Sequence, residues 1–172
     1  MKRVAILLAV LPLLLLMLIP SACAKSDGSF GIYLEDSGEQ VISLEHIKAY
    51  HSLDYSLELT PKGIEKWNSF QTSTTVPKLA QSLYQRDFIL KINGNEVCRG
   101  QFYSMASSAT YDGIVILESL GKLDDDHNTI KIDFGYAAPF PSSEEARITG
   151  ELERFFGDRH LLVADAGWGF PS

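Results

Sequence analysis

Between residues 55 and 97 the chain changes hydrophobic period twice, and few folds accommodate that succession. Tyr55, Leu57 and Leu59 alternate with Ser56 and Glu58, the period of two that a half-buried strand needs. Thr60 then supplies a helix cap, and Pro61 suits the first helical position because its missing N–H would be unpaired there anyway. Ile64, Trp67 and Phe70 follow on one helical face. From Asp87 to Ile92 the period returns to two, with Phe88, Leu90 and Ile92 on one side. Asn93-Gly94 predicts a tight hairpin, since both residues tolerate positive φ, and Glu96 begins the return strand. A strand, a helix and a hairpin in that order point to an α+β domain: an antiparallel sheet with helices packed on one face.

The rest of the chain fits that class. Phe30 to Glu35 reads as a strand, Asp36-Ser37-Gly38-Glu39 as a turn, and Val41-Ile42 as a brief extended piece. Ser43 looks like the cap of a short amphipathic helix from Leu44 to about Tyr50, with Leu44, Ile47 and either Tyr50 or His51 at helical spacing. Residues 72–77 form a polar loop. Gly113 to Leu117 and Thr129 to Phe134 are two more strands, joined through the acidic turn from Asp124 to Asn128. A proline-flanked linker, Pro139 to Ser142, precedes a last helix from about Glu144 to Phe156.

The N-terminus is an export signal. Lys2 and Arg3 give a basic start, Val4 to Ile19 is an uncharged apolar run, and small residues close it. Ala22-Cys23-Ala24 fits ordinary cleavage, which would release a soluble chain from Lys25. The same residues resemble a bacterial lipoprotein box, in which Cys23 would carry the lipid and Lys25 to Ser29 would be the tether; Pro20 departs from that pattern. An uncut anchor is the third reading, because spanning a bilayer takes roughly 20 apolar residues. All three place the folded part outside the cytoplasm, at the outer face of the membrane or in the periplasm. The expected organisation is a signal or anchor over 1–24, a tether over 25–29, one α+β domain over 30–157 and a mobile tail over 158–172.

Beyond residue 24 the chain holds thirteen basic and twenty-two acidic residues, a formal charge of −9. That balance argues against nucleic acid and anionic membrane surfaces as partners, since both recruit clusters of Lys and Arg. Cys98 is the only thiol besides Cys23, so no disulfide forms within the domain and Cys98 reads as a small buried strand residue. Its neighbour Arg99 points to the opposite face of a strand.

Catalytic and metal signatures are weak. Asp124, Asp126 and Asn128 have the spacing that begins a calcium loop, but Thr129 stands where glycine is needed and Gly135 where the bidentate glutamate is needed. His46 and His51, five apart, would be separated by about 140° on a helix. His127 beside three aspartates favours its charged form. No serine-hydrolase elbow, phosphate loop or His-Glu-x-x-His pair occurs, although a Ser/His/Asp set assembled in space would escape such a search. The aromatics Tyr50, Tyr55, Trp67, Tyr84, Phe102, Tyr103 and Tyr111 are either core or, where several share an exposed face, a ligand platform.

Residues 53–118 resemble the first periplasmic head subdomain of the SecD/SecDF protein-export subunits. The likeness rests on Leu57-Glu58-Leu59-Thr60-Pro61-Lys62-Gly63-Ile64-Glu65-Lys66-Trp67 and on the strand that ends in Lys91-Ile92-Asn93-Gly94-Asn95-Glu96-Val97. Thr60, Pro61, Gly63 and Gly94 match as structural positions, while Asn93 replaces the usual turn aspartate. The resemblance implies a SecDF-head-like, ferredoxin-like α+β fold and no catalytic residue or cofactor. It does not carry over proton-driven export, which needs charges inside several membrane spans. The expectation is therefore an exported, membrane-tethered, non-catalytic module that engages extended polypeptide or another envelope protein. An extracytoplasmic enzyme with an unrecognised site and a purely structural envelope protein are the alternatives.

Overall fold

The computed structural model describes residues 28–71, 83–105, 107–118 and 121–164, the side chain of Glu118 excepted. The expected export signal, Cys23, the expected tether up to Asp27, the expected polar loop over 72–77 and the residues beyond Ala164 lie outside them. In chain order the described residues form β1 (Phe30–Leu34), β2 (Gln40–Ser43), a 3-10 turn (Leu44–His46), β3 (Ile47–His51), β4 (Ser56–Leu59) and α1 (Pro61–Ser69). There follow β5 (Asp87–Ile92), β6 (Asn95–Ser104), β7 (Tyr111–Glu118), β8 (Thr129–Tyr136), α2 (Ser142–Gly157) and β9 (Leu162–Val163).

All nine strands share one sheet, ordered β2-β1-β5-β6-β7-β8-β4-β3-β9. The α+β class holds, but the sheet is neither wholly antiparallel nor a simple ferredoxin-like one, because β6 runs parallel to β7 and β3 parallel to β9. The β6–β7 link is unusually short for a parallel pair, which commonly needs a dozen or more residues. β6 leaves at Ser104, level with Glu118, whereas β7 starts at Tyr111.

β2 and β3 stand first and eighth in the order, yet only Leu44–His46 connects them. Seven spacings of about 4.8 Å would part them by some 34 Å in a flat sheet, whereas such a link reaches at most about 14 Å. The sheet is therefore curled until its ends approach. Helix α1 lies against the 3-10 turn, β2 and β4. It starts as expected: Thr60 Oγ1 accepts the Gly63 N–H at 3.2 Å and Pro61 occupies the first turn. Gly63 is required here, since a Cβ would overlap the His46 carbonyl oxygen.

The helix expected over residues 44–50 is a correction. Only one turn forms, opened by a capping box in which His46 Nδ1 accepts the Ser43 backbone N–H at 3.0 Å. Ile47 to His51 then pair with β4 on one side, and Tyr50 and His51 pair with β9 on the other. Long-range pairing overrides a local pattern that is also readable as a helix. Of the tail expected over 158–172, residues 158–164 are described, and Leu162–Val163 supplies the ninth strand.

Both helices contribute to one interior cluster. Phe156 of α2 meets Phe30 of β1 at 5.2 Å and Tyr50 of β3 at 5.1 Å between ring centroids, and so fills the space enclosed by the curl. Trp67 of α1 packs edge-on against Phe102 of β6 at 6.0 Å. Each such aromatic pair adds roughly 0.5–1.5 kcal/mol beyond its buried area.

Candidate functional site

The aromatic residues divide between the two sides of the sheet. Tyr50, Trp67 and Phe102 are fully buried in the interior cluster, and Tyr55 packs against its edge. Phe102 points inward, so alternation along β6 turns Tyr103 outward. There it is surrounded: ring centroids lie 5.7 Å away for Tyr84, 5.9 Å for Tyr111 and 4.9 Å for Tyr136. Tyr103 is buried at the centre, and the three rings about it are half-buried.

Two glycines make the convergence possible. Gly113 of β7 lies under the Tyr111 ring, which fills the space a Cβ there would need. Interior alternation on β8, through Ile130, Ile132 and Phe134, would send Tyr136 inward. Gly135 has φ of +83°, and a Cβ there would overlap the Ala138 carbonyl oxygen. A register shift on β7 between Tyr111 and Ile114 accompanies it and leaves Tyr111 opposite Tyr136. Tyr84, Tyr103 and Tyr111 were named from the sequence; Tyr136 was not, and the Gly135 before it is the one signal that its side would change.

Ser107 of the β6–β7 link is tied to this face. Tyr136 donates to the Ser107 carbonyl at 3.1 Å, and the Tyr84 hydroxyl lies 3.2 Å from Ser107 Oγ. Met105, at the start of the link, is 60% exposed. Burial, with Asp87 and Asp112 nearby, pushes the Tyr111 phenol above its ordinary value, so it remains a protonated donor at neutral pH. Gln101 holds Asp87 through a 3.1 Å hydrogen bond. The face thus offers flat π surfaces, hydroxyl groups and carboxylates.

Other predicted residues have structural roles. Burial, opposed in part by Arg147, pushes the Cys98 thiol up to about 12, so it carries no thiolate at neutral pH. Arg99 lies on the opposite side and joins Glu96 and Glu35. Asp124 is spent on its own turn: Oδ1 accepts the N–H groups of Asp126 at 3.0 Å and His127 at 2.8 Å. Asn128 directs its amide to Glu58. Among the described residues no three His, Cys, Asp or Glu side chains converge as metal ligands.

Ser43 Oγ lies 3.1 Å from His46 Nδ1, and Glu45 is 3.9 Å from the other ring nitrogen. That lone pair also receives the Ser43 backbone N–H, and burial lowers the basicity of His46. The geometry is that of a cap and not of an activated nucleophile. His51 instead pairs with Glu58 at 3.5 Å.

A second concavity, of about 300 Å³, lies between the tip of the β5–β6 hairpin and the C-terminal half of α2. Arg159 stacks its guanidinium on Phe155, 3.6 Å from the ring centroid, and donates to the Phe155 carbonyl at 2.9 Å. It stands at the N-terminal pole of the domain, since Asn93 donates to the Ser29 carbonyl at 2.8 Å. Tyr103 lies eight residues farther along β6 than Asn95, about 27 Å at the usual strand rise. Compared with known proteins, the chain matches no family model, no curated protein and no solved structure.

Proposed function

We propose that the chain is an exported, membrane-tethered, non-catalytic binding module that engages extended polypeptide through the face formed by Tyr84, Tyr103, Tyr111 and Tyr136. The convergence of four tyrosines on the outer side of the sheet carries this reading. The cluster lies outside the interior core, and three of its four rings stay half-buried. Flat rings accept proline and aliphatic side chains, phenols hydrogen-bond to main-chain carbonyls, and Asp87 and Asp112 favour a segment that carries Lys or Arg.

The edges of the sheet support the face over strand addition. β2 offers four residues and β9 two, too short for an extended ladder with a ligand. A tether at Cys23 would enter near Gly28, at the pole opposite the tyrosines, and leave the face directed away from the bilayer. The likeness to a SecD/SecDF head belongs to the same proposal: Thr60, Gly63 and Gly94 hold scaffold positions here, which suits a detached head that binds without powering export.

Titration of the full chain in detergent micelles with a fluorescent proline-rich, lysine-flanked peptide tests the reading. Saturable binding that weakens roughly tenfold in Tyr111→Ser, with circular dichroism unchanged, is the expected result, because one aromatic anchor at an interface is worth about 1–2 kcal/mol. Absence of concentration-dependent binding, or equal binding by Tyr111→Ser, overturns it.

A further inference from the structure

We propose that the cleft between the β5–β6 hairpin and α2 binds a small zwitterion of the amino-acid or dipeptide class, independently of the tyrosine face. The cleft presents charges of both signs that do not cancel one another. Arg154 is three residues from Glu151 and four from Asp158, spacings at which helix side chains normally meet. Yet among the described residues Arg154 pairs with neither, and Asp158 has no ion pair. Glu151 is held by Arg147 at 2.9 Å.

Asp158 sharpens the point. It sits at the C-terminal end of α2, where the helix dipole disfavours a carboxylate, and Arg154 and Arg159 line the same cleft without an ion pair to it. Its exposed carboxylate is therefore open to a cationic group at the rim of the cavity. Arg159 is fixed by Phe155 beneath it and by its bond to the Phe155 carbonyl, which occupies one of its five N–H donors and leaves others for a carboxylate. Phe155 supplies an apolar floor, and Asn95 at the hairpin tip adds an amide. Arg154 and Arg159 together match a carboxylate, Asp158 matches an ammonium group, and about 300 Å³ suits a molecule of one or two residues.

Glycyl-leucine is the probe, titrated into the full chain and followed by backbone amide shifts. Saturable binding is expected, weakened roughly five- to tenfold by acetylation of the amine or amidation of the carboxylate, because each removes one charge-assisted contact. In Arg154→Gln the penalty for amidation should shrink, and in Asp158→Asn the penalty for acetylation should shrink; both positions are exposed, so neither variant threatens folding. Glycerophosphoethanolamine, which stands for a zwitterionic lipid headgroup, should bind more weakly than the dipeptide. No saturable binding, equal binding of blocked dipeptides, or unchanged discrimination in both variants overturns the proposal. Tighter binding of glycerophosphoethanolamine overturns the amino-acid assignment.

Discussion

Tyr103 and Tyr136 bring their rings to 4.9 Å although β7 runs between their strands. Gly135, with φ of +83°, turns Tyr136 to the outer side, and Gly113 leaves room for the Tyr111 ring that also packs on Tyr103. Gly135→Ala forces a Cβ into the left-handed region and against a backbone carbonyl. It should cost about 1–3 kcal/mol, seen as a fall in Tm of roughly 2–4 °C for each kcal/mol in a domain of this size. Peptide binding should fall with it. An unchanged Tm removes Gly135 as the device that orients Tyr136.

Cys98 should resist modification in the folded protein. It is 6% exposed and its thiol is held up to about 12 by burial, so both access and thiolate are lacking. With Cys23→Ser as background, Ellman's reagent at pH 8 should label Cys98 only on addition of denaturant. Rapid stoichiometric labelling of native protein contradicts the buried placement.

His46 should make stability fall as pH drops below about 6.5. Burial lowers its folded-state pKa, so the unfolded chain takes up a proton first; the contribution is complete above the unfolded value and is lost as pH falls toward the folded one. Glu58 and Asp36, also held below their ordinary values, act in a separate and more acidic window, under the unfolded carboxylate values of about 4.5 and 3.8. Urea unfolding between pH 7 and pH 5 should show a decline in the natural chain and a flatter profile in His46→Gln. Equal slopes exclude the histidine cap as the source.

Much of the local structure was legible and much of the site was not, for one physical reason. The Thr60-Pro61 helix start and the Asn93-Gly94 turn, with φ of +53° and +80°, are decided by neighbours in sequence. Ile47 to His51 were readable as helix because β3 owes its state to β4 and β9, both distant in sequence. The parallel β6–β7 pairing and the two-residue β9 carry no periodic signature. Tyr84, Tyr103 and Tyr111 were visible as aromatics, but their common face depends on sheet register. Tyr136 joins them only through a glycine that reverses alternation. The charged cleft depends on where α2 crosses the hairpin, which no local pattern encodes.

The proposed tether has its own test. Metabolic labelling with a fatty-acid analogue should mark the natural chain and not Cys23→Ser, and the variant should leave the membrane fraction. Unchanged fractionation, with no label in either chain, rejects lipid anchoring and leaves the binding face untouched.

The most direct measurement uses all seven tyrosines as reporters. Full chain labelled with 3-fluorotyrosine, its resonances assigned by single Tyr→Phe substitutions, is titrated with the proline-rich, lysine-flanked peptide and followed by fluorine NMR. The tyrosine-face account predicts saturable shifts at Tyr84, Tyr103, Tyr111 and Tyr136, with Tyr33, Tyr50 and Tyr55 unmoved. Shifts centred on Tyr33, Tyr50 or Tyr55, or no shifts at any position, contradict it.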